Sequence, residues 1–131
     1  QKRGLSIRLN VADPFPEVYG NPDRTEQVLI ILLDNAIKHG SADEPLALGA
    51  EISGDKVLVH VSNAGTIAEE DIAHLFERFY KADRSHSGEG TGLGLSIAQE
   101  IMSLLDEKIW AQNRNGRVEF TFTLSLNAEK V

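Results

Sequence analysis

Gly88-Glu89-Gly90-Thr91-Gly92-Leu93-Gly94-Leu95-Ser96-Ile97 sets glycines on alternate positions and runs straight into an apolar-periodic segment. Glycine lets the backbone approach a ligand closely and adopt positive φ. The N-terminus of a following helix offers unpaired N–H groups and the positive end of a dipole. Together they make an anion cradle, and a nucleotide phosphate is the anion that suits it best. Glycine-rich loops are also ordinary hinges, so the rest of the chain has to decide between the two.

Around this run the sequence alternates in two periods. Leu5, Ile7, Leu9 and Val11 alternate with Ser6, Arg8 and Asn10, the two-residue period of a strand with one apolar face. Leu46, Leu48, Ala50 and Ile52 form a second such strand and Val57, Val59 and Val61 a third. Val118, Phe120, Phe122, Leu124 and Leu126, set against Arg117, Glu119, Thr121, Thr123 and Ser125, form the last. Gly54-Asp55 suits a tight turn between the second and third strands, and Asn115-Gly116 another, after a strand around residues 109–111.

Helices are predicted over residues 22–38, over 69–79 and from about residue 92 onward. The first has Asn21 as N-cap and Pro22 at its first position. The second opens on Glu69, Glu70 and Asp71 and carries the stripe Ile72, Leu75, Phe76 and Phe79. The third carries Ile97, Ile101, Leu104 and Leu105. One-faced antiparallel hairpins need a cover, and three amphipathic helices supply it. The expected fold is therefore α+β, a two-layer α/β sandwich with a mixed, mostly antiparallel sheet covered on one face by three helices. Residues 80–91 are the one long irregular stretch, and loops of that length are commonly functional.

At 131 residues the chain is expected to be a single domain spanning residues 1–131. Its 41% apolar and 25% charged residues are ordinary for a globular protein, and its net charge of −7 argues against a nucleic-acid partner. The absence of cysteine excludes a disulfide frame, a thiolate nucleophile and a Cys-based zinc site. No apolar run approaches the roughly 18 residues needed to span a bilayer, and no signal peptide is visible. A start at Gln1, in a polar stretch without methionine, suggests a piece of a longer protein.

Within the first helix, Asn35, Lys38 and His39 lie on a different side from Leu29, Leu32, Leu33 and Ala36, which share its core face. A carboxamide oxygen beside a phosphate is a suitable hard ligand for Mg²⁺, and a lysine neutralises phosphate charge. An isolated Asn–Lys pair usually decorates a solvated surface. Here Asn35-Ala36-Ile37-Lys38-His39 and Gly90-Thr91-Gly92-Leu93-Gly94-Leu95-Ser96 occur in order, with Leu75-Phe76-Glu77-Arg78-Phe79-Tyr80 between them. This combination resembles the ATP-binding catalytic domain of bacterial sensor histidine kinases, a Bergerat-fold superfamily shared with type II topoisomerases, a heat-shock chaperone and mismatch-repair ATPases. The resemblance runs from Gly4 to Leu126.

The resemblance implies roles for particular residues. Asn35 matches the family's Mg²⁺-coordinating asparagine, and Asn35 and Lys38 are the pair that it makes catalytic. Lys38 and His39 match the nucleotide-contacting pair. Phe76 and Phe79 match an aromatic box under an ATP lid formed by residues 80–91. In that lid Tyr80 and Lys81 are nucleotide contacts, with Arg78 a second basic candidate. Gly90, Thr91, Gly92, Leu93, Gly94 and Leu95 match the phosphate-binding glycine box. For Phe76 and Phe79, core packing is an equally good reading.

Two departures stand out. Such kinases usually carry Asp-x-Gly-x-Gly after the third strand, whose aspartate accepts a hydrogen bond from the adenine amino group. This chain has Ser62-Asn63-Ala64-Gly65-Thr66-Ile67, shorter by about one residue. Asn63 then stands for the aspartate, Gly65 keeps one glycine, and Ile67 falls among the base contacts. Ile31 occupies the position where the family often has another asparagine and its relatives a glutamate base, so the chain is expected to hydrolyse ATP poorly on its own.

The resemblance further implies ATP and Mg²⁺ as cofactors. It also implies a phosphoacceptor histidine on dimerisation helices upstream of Gln1, and a response regulator as partner. The chain itself is expected to be a monomer, the cytoplasmic part of a membrane-bound sensor kinase tethered only through its missing N-terminal portion. None of His39, His60, His74 and His86 is followed by the acidic residue that usually follows the acceptor. Other readings are a nucleotide-dependent interaction module that transfers little phosphate, and an anti-sigma-factor serine kinase of the same fold.

Overall fold

The two short turns show how local sequence sets the sheet. Asn115 and Gly116 both hold positive φ, 55° and 77°, between directly paired Arg114 and Arg117. That is the pattern of a type I′ turn, whose twist matches that of the strands it joins. Gly54, at φ 64°, closes the other two-residue turn, across which Ser53 pairs with Lys56.

A computed structural model describes residues 7–10, 18–19, 22–39, 46–77 and 94–126. The elements are β1 (Ile7–Asn10), β2 (Val18–Tyr19), α1 (Pro22–His39), β3 (Leu46–Ser53), β4 (Lys56–Ala64), α2 (Glu69–Ile72), α3 (Gly94–Leu104), β5 (Ile109–Arg114) and β6 (Arg117–Leu126). They build one sheet in the order β1-β3-β4-β6-β2, with β5 also pairing β6. β1 runs parallel to β3 and every other pairing is antiparallel. β6 is the hub. One edge pairs along β4, and the other is shared between β5, opposite residues 117–122, and β2, opposite Ser125 and Leu126.

The helical layer lies on one face, as the alternation requires. α1 packs on β4 and beside α3, which reaches β5. Val28, Leu32 and Ala36 of α1 meet Val57 and Val61 of β4, Val118, Phe120, Phe122 and Leu124 of β6, and Ala98, Ile101 and Met102 of α3 in one buried core. The helix is turned slightly from the expected stripe: Val28 joins Leu32 and Ala36 inside, while Leu29 and Leu33 pack at the margin.

The second helix is shorter than its period suggests. α2 ends at Ile72, and the N–H groups of His74, Leu75 and Glu77 then bond to carbonyls three residues back. This tighter winding still turns Leu75 into the core and Phe76 onto Phe120, so the same apolar stripe serves a helix that the expectation over residues 69–79 made too long. The two-residue β2 was not foreseen. Its pairing with the far end of β6 is a long-range event that no local pattern announces.

The sheet face away from the helices is not simply wet. Thr121 is fully buried and Thr123 nearly so. α3 ends in a Schellman motif: Asp106 takes φ 62°, its N–H bonds to the Ser103 carbonyl, and the Glu107 N–H bonds to the Met102 carbonyl. This delivers Glu107, whose side chain is only 6% exposed, to the polar face. Its carboxylate accepts hydrogen bonds from Lys56 Nζ at 2.9 Å, Thr123 Oγ1 at 2.6 Å and Ser125 Oγ at 2.8 Å. No helix among the described residues is long and apolar enough to cross a membrane.

Candidate functional site

α1 contributes the first wall. Asn35 follows Ile31 by one turn, so the two share a face, and Asn35 is half-buried. Its side-chain amide has no hydrogen-bond partner among the described residues. Lys38, exposed on the next turn, pairs with Asp34 at 3.1 Å, an i,i+4 ion pair at the surface. α3 supplies the second wall. A Cβ built on Gly94 would lie 3.5 Å from Ile31 Cγ2, ordinary contact, so the first turn of α3 sits against the Ile31 side of α1. Gly94 is solvent-exposed and opens the helix, where N–H groups lack intrahelical partners. Leu95 turns inward and packs against the core.

The end of β4 supplies the third wall. Asn63 lies on the helix-covered face, is only 4% exposed, and pairs with Val118 across the sheet. Its Nδ2 donates to the Ala64 carbonyl at 3.1 Å, which leaves Oδ1 without a partner among the described residues. A buried carbonyl oxygen left so is an acceptor in want of a donor. Gly65 follows at φ 115°, a conformation that L side chains rarely adopt, and its N–H donates to the Gly116 carbonyl at 3.0 Å.

Ile67 packs against the core margin. Its N–H donates to Asn113 Oδ1 at 2.9 Å, and its carbonyl accepts from Asn113 Nδ2 at 2.6 Å. Asn113 was not singled out from sequence: an asparagine just before Asn115-Gly116 reads as approach to the turn. Phe76, half-buried, stands edge-on to buried Phe120 with ring centroids 6.1 Å apart, so core packing accounts for its placement.

The sequence-named residues thus fall into two groups. Asn35 lies on α1, one turn beyond the Ile31 that faces Gly94 at the start of α3, with Leu95 next to Gly94. Asn63, Gly65 and Ile67 lie at the end of β4 and in the segment after it, and Phe76 stands against Phe120 of β6. Arg78, Phe79, Tyr80, Lys81, Gly90, Thr91, Gly92, Leu93 and the side chain of His39 lie outside the described residues. His60 and His74 have local partners: Thr121 Oγ1 at 2.9 Å and Glu51 at 3.2 Å for the first, Glu77 at 2.7 Å for the second.

The model of the family described as histidine kinase-, DNA gyrase B-, and HSP90-like ATPase matches residues 20–128. The chain belongs to this family. Among its ATPase-family relatives, the adaptive-response sensory kinase SasA of Nostoc sp. (strain PCC 7120) is 34% identical over 125 residues, covering 93% of this chain and 31% of its own length. The chain therefore spans about a third of such a relative. The nucleotide-free catalytic domain of histidine kinase ThkA superimposes with a TM-score of 0.84 at 32% identity, covering 99% of this chain and 84% of that one. ThkA in complex with the response regulator protein TrrA superimposes at 0.80 with 30% identity, covering 99% of this chain and 36% of that one. Fold and relatives agree: this is an ATPase-family domain of the type found in sensor histidine kinases.

Proposed function

We propose that the chain binds Mg–ATP between α1, the end of β4 and the start of α3, and presents the γ-phosphate to a histidine outside it. The observation that carries this reading is the buried Oδ1 of Asn63, an acceptor with no partner among the described residues, facing the helix-covered side of the sheet. The adenine amino group is a donor of the right kind. An asparagine accepts that bond without the charge assistance an aspartate gives, a difference on the order of 1 kcal/mol, so base binding is weakened about tenfold rather than abolished.

The other named residues divide the remaining work. The N-terminal amides of α3 at Gly94 hold phosphate oxygens, and Lys38 exchanges Asp34 for phosphate charge. Among the described residues no group of three or more His, Cys, Asp or Glu could hold a metal ion. The carboxamide of Asn35, without a partner among the described residues, would nevertheless be a fitting hard ligand for Mg²⁺ beside the phosphates. Bound there, Mg²⁺ would supply charge neutralisation on the phosphate oxygens.

In the transfer itself an imidazole nitrogen bonds to the γ-phosphorus, the bond to the β,γ-bridging oxygen breaks, and ADP leaves with that electron pair. The imidazole gives up its N–H proton to solvent. Catalysis then comes from positioning and electrostatics. Ile31, apolar and packed toward Gly94, can neither orient nor deprotonate a water, which suits a kinase rather than a hydrolase.

The acceptor histidine belongs to dimerisation helices outside this chain, in the cytoplasmic part of a membrane-bound sensor kinase. A response regulator is the further partner, a reading supported by the complex of ThkA with the response regulator protein TrrA. The neutral Asn63 also favours a second reading, a nucleotide-dependent interaction module with little transfer. Calorimetric titration with ATP, with and without Mg²⁺ and beside GTP, tests binding, and absence of ATP binding sinks the proposal. Mixing the chain with the parent's acceptor helices and γ-labelled ATP then separates the readings: phosphohistidine supports the kinase, and binding without it supports the module.

A further inference from the structure

Asn113 of β5 and Asn63 of β4 stand in one row of the helix-covered face, on either side of Val118. The carboxamide of Asn113 is not spent on the sheet. Its Oδ1 accepts from the Ile67 N–H at 2.9 Å and its Nδ2 donates to the Ile67 carbonyl at 2.6 Å, so one side chain engages both main-chain groups of a residue 46 positions away. Nδ2 also donates to Glu69 Oε2 at 3.1 Å, at the start of α2. The segment from Asn63 to Glu69 is thereby tied to the β5–β6 hairpin at three residues, by the main chain at Gly65 and by Asn113 at Ile67 and Glu69. Holding β5 to the sheet does not require this clamp, since β5 pairs β6 along its whole length.

We propose that Asn113 is a positioning residue that sets base discrimination at the adenine end. This rests on the nucleotide reading above. By fixing Ile67, the clamp fixes the segment that leaves Ala64, whose carbonyl holds the Asn63 amide and so sets the direction of the buried Oδ1. Loss of the clamp lets that segment shift. The acceptor is then misplaced, while α1 and the start of α3 stay as they were.

A strap that merely stabilised the fold would leave base preference alone, and this separates the two roles. The 131-residue chain and its Asn113→Ala variant are titrated calorimetrically with Mg–ATP, with inosine triphosphate, whose base carries a carbonyl where adenine has the amino group, and with inorganic tripolyphosphate. Asn113→Ala is expected to lose about tenfold in ATP affinity. Binding of inosine triphosphate and tripolyphosphate is expected to change less than twofold, so that the ATP-to-inosine ratio collapses. Should that variant fail to fold, Asn113→Asp is read in the same way. It keeps the acceptor for the Ile67 N–H but loses the donor, and a partial loss of the ratio is expected. An unchanged ratio in a folded variant that still binds ATP overturns this inference alone. No ATP binding by the unaltered chain overturns it together with the reading on which it rests.

Discussion

Replacing Asn63 by aspartate pits two effects of known size against each other. A charge-assisted bond to the adenine amino group exceeds a neutral one by about 1 kcal/mol, which is roughly a fivefold to tenfold gain in affinity. The same change harms the folded chain without nucleotide. Asn63 is 4% exposed and its Nδ2 donates to the Ala64 carbonyl at 3.1 Å. Aspartate loses that donor, sets a carboxylate against a carbonyl oxygen, and buries charge. The nearby guanidinium of Arg117 lies on the other sheet face, bonded to Ser62 Oγ at 3.0 Å and to the Ser62 carbonyl at 3.2 Å. The net loss is about 1–3 kcal/mol, or a Tm lower by roughly 5–10 °C for a domain of this size.

Asn63→Asp is therefore expected to bind Mg–ATP several-fold more tightly while melting earlier in the absence of nucleotide. It should also reject inosine triphosphate more strongly, because its carboxylate repels the base carbonyl. Calorimetric titration with both nucleotides and a nucleotide-free thermal melt give the three readings. A variant with the lower Tm but no tighter grip on ATP would show that Asn63 does not face the amino group, and the placement of the base would be wrong.

Other perturbations address the remaining walls. Asn35→Ala should reduce the ratio of ATP affinities with and without Mg²⁺ by about tenfold and leave Mg²⁺-free binding nearly unchanged, measured by the same titrations. Gly94→Ala puts a methyl at ordinary contact distance from Ile31 and needs no unusual φ. It should raise stability by about 0.4–1 kcal/mol in a denaturant melt yet weaken ATP binding, because on the proposed reading the added methyl stands where a phosphate would approach the backbone. Glu107→Ala removes the carboxylate that Lys56, Thr123 and Ser125 share, leaving Lys56 its bond to Ser125 Oγ, and should cost about 2–3 kcal/mol in the same melt, with ATP affinity within about twofold of the unaltered chain.

Much of the fold was legible because it is written locally. Asn115-Gly116 demands its turn, Pro22 marks the first position of α1, and alternation along residues 118–126 assigns one face of β6 to the core. Features set by distant partners were not legible. β2 exists only through its pairing with Leu126 and Ser125, and the burial of Thr121 and Thr123 depends on what covers the polar face. An i, i+3, i+4 stripe fits both an α-helix and the three-residue turns that follow Ile72 as far as Glu77. At the site, motif and residue chemistry coincide at Asn35 and Asn63, and that is why the sequence proposes them. Asn113 is not among them, because its bonds run to the main chain of Ile67, and a main-chain partner leaves no trace in composition.

The buried hydroxyls of β6 have a consequence for how the sheet is kept honest. A strand with one apolar and one solvated face resists slipping by one residue only through its apolar side. β6 resists from both sides: a one-residue slip would turn Phe120 and Phe122 onto the Glu107 carboxylate network and drive Thr121 and Thr123 among Val57, Val61 and Met102. The two-residue turn at Asn115-Gly116 leaves no slack between β5 and β6 to absorb such an error. The strand on which β2, β4 and β5 all depend is thus the one with the fewest alternative pairings, and its amides should be the last in the chain to exchange with deuterium.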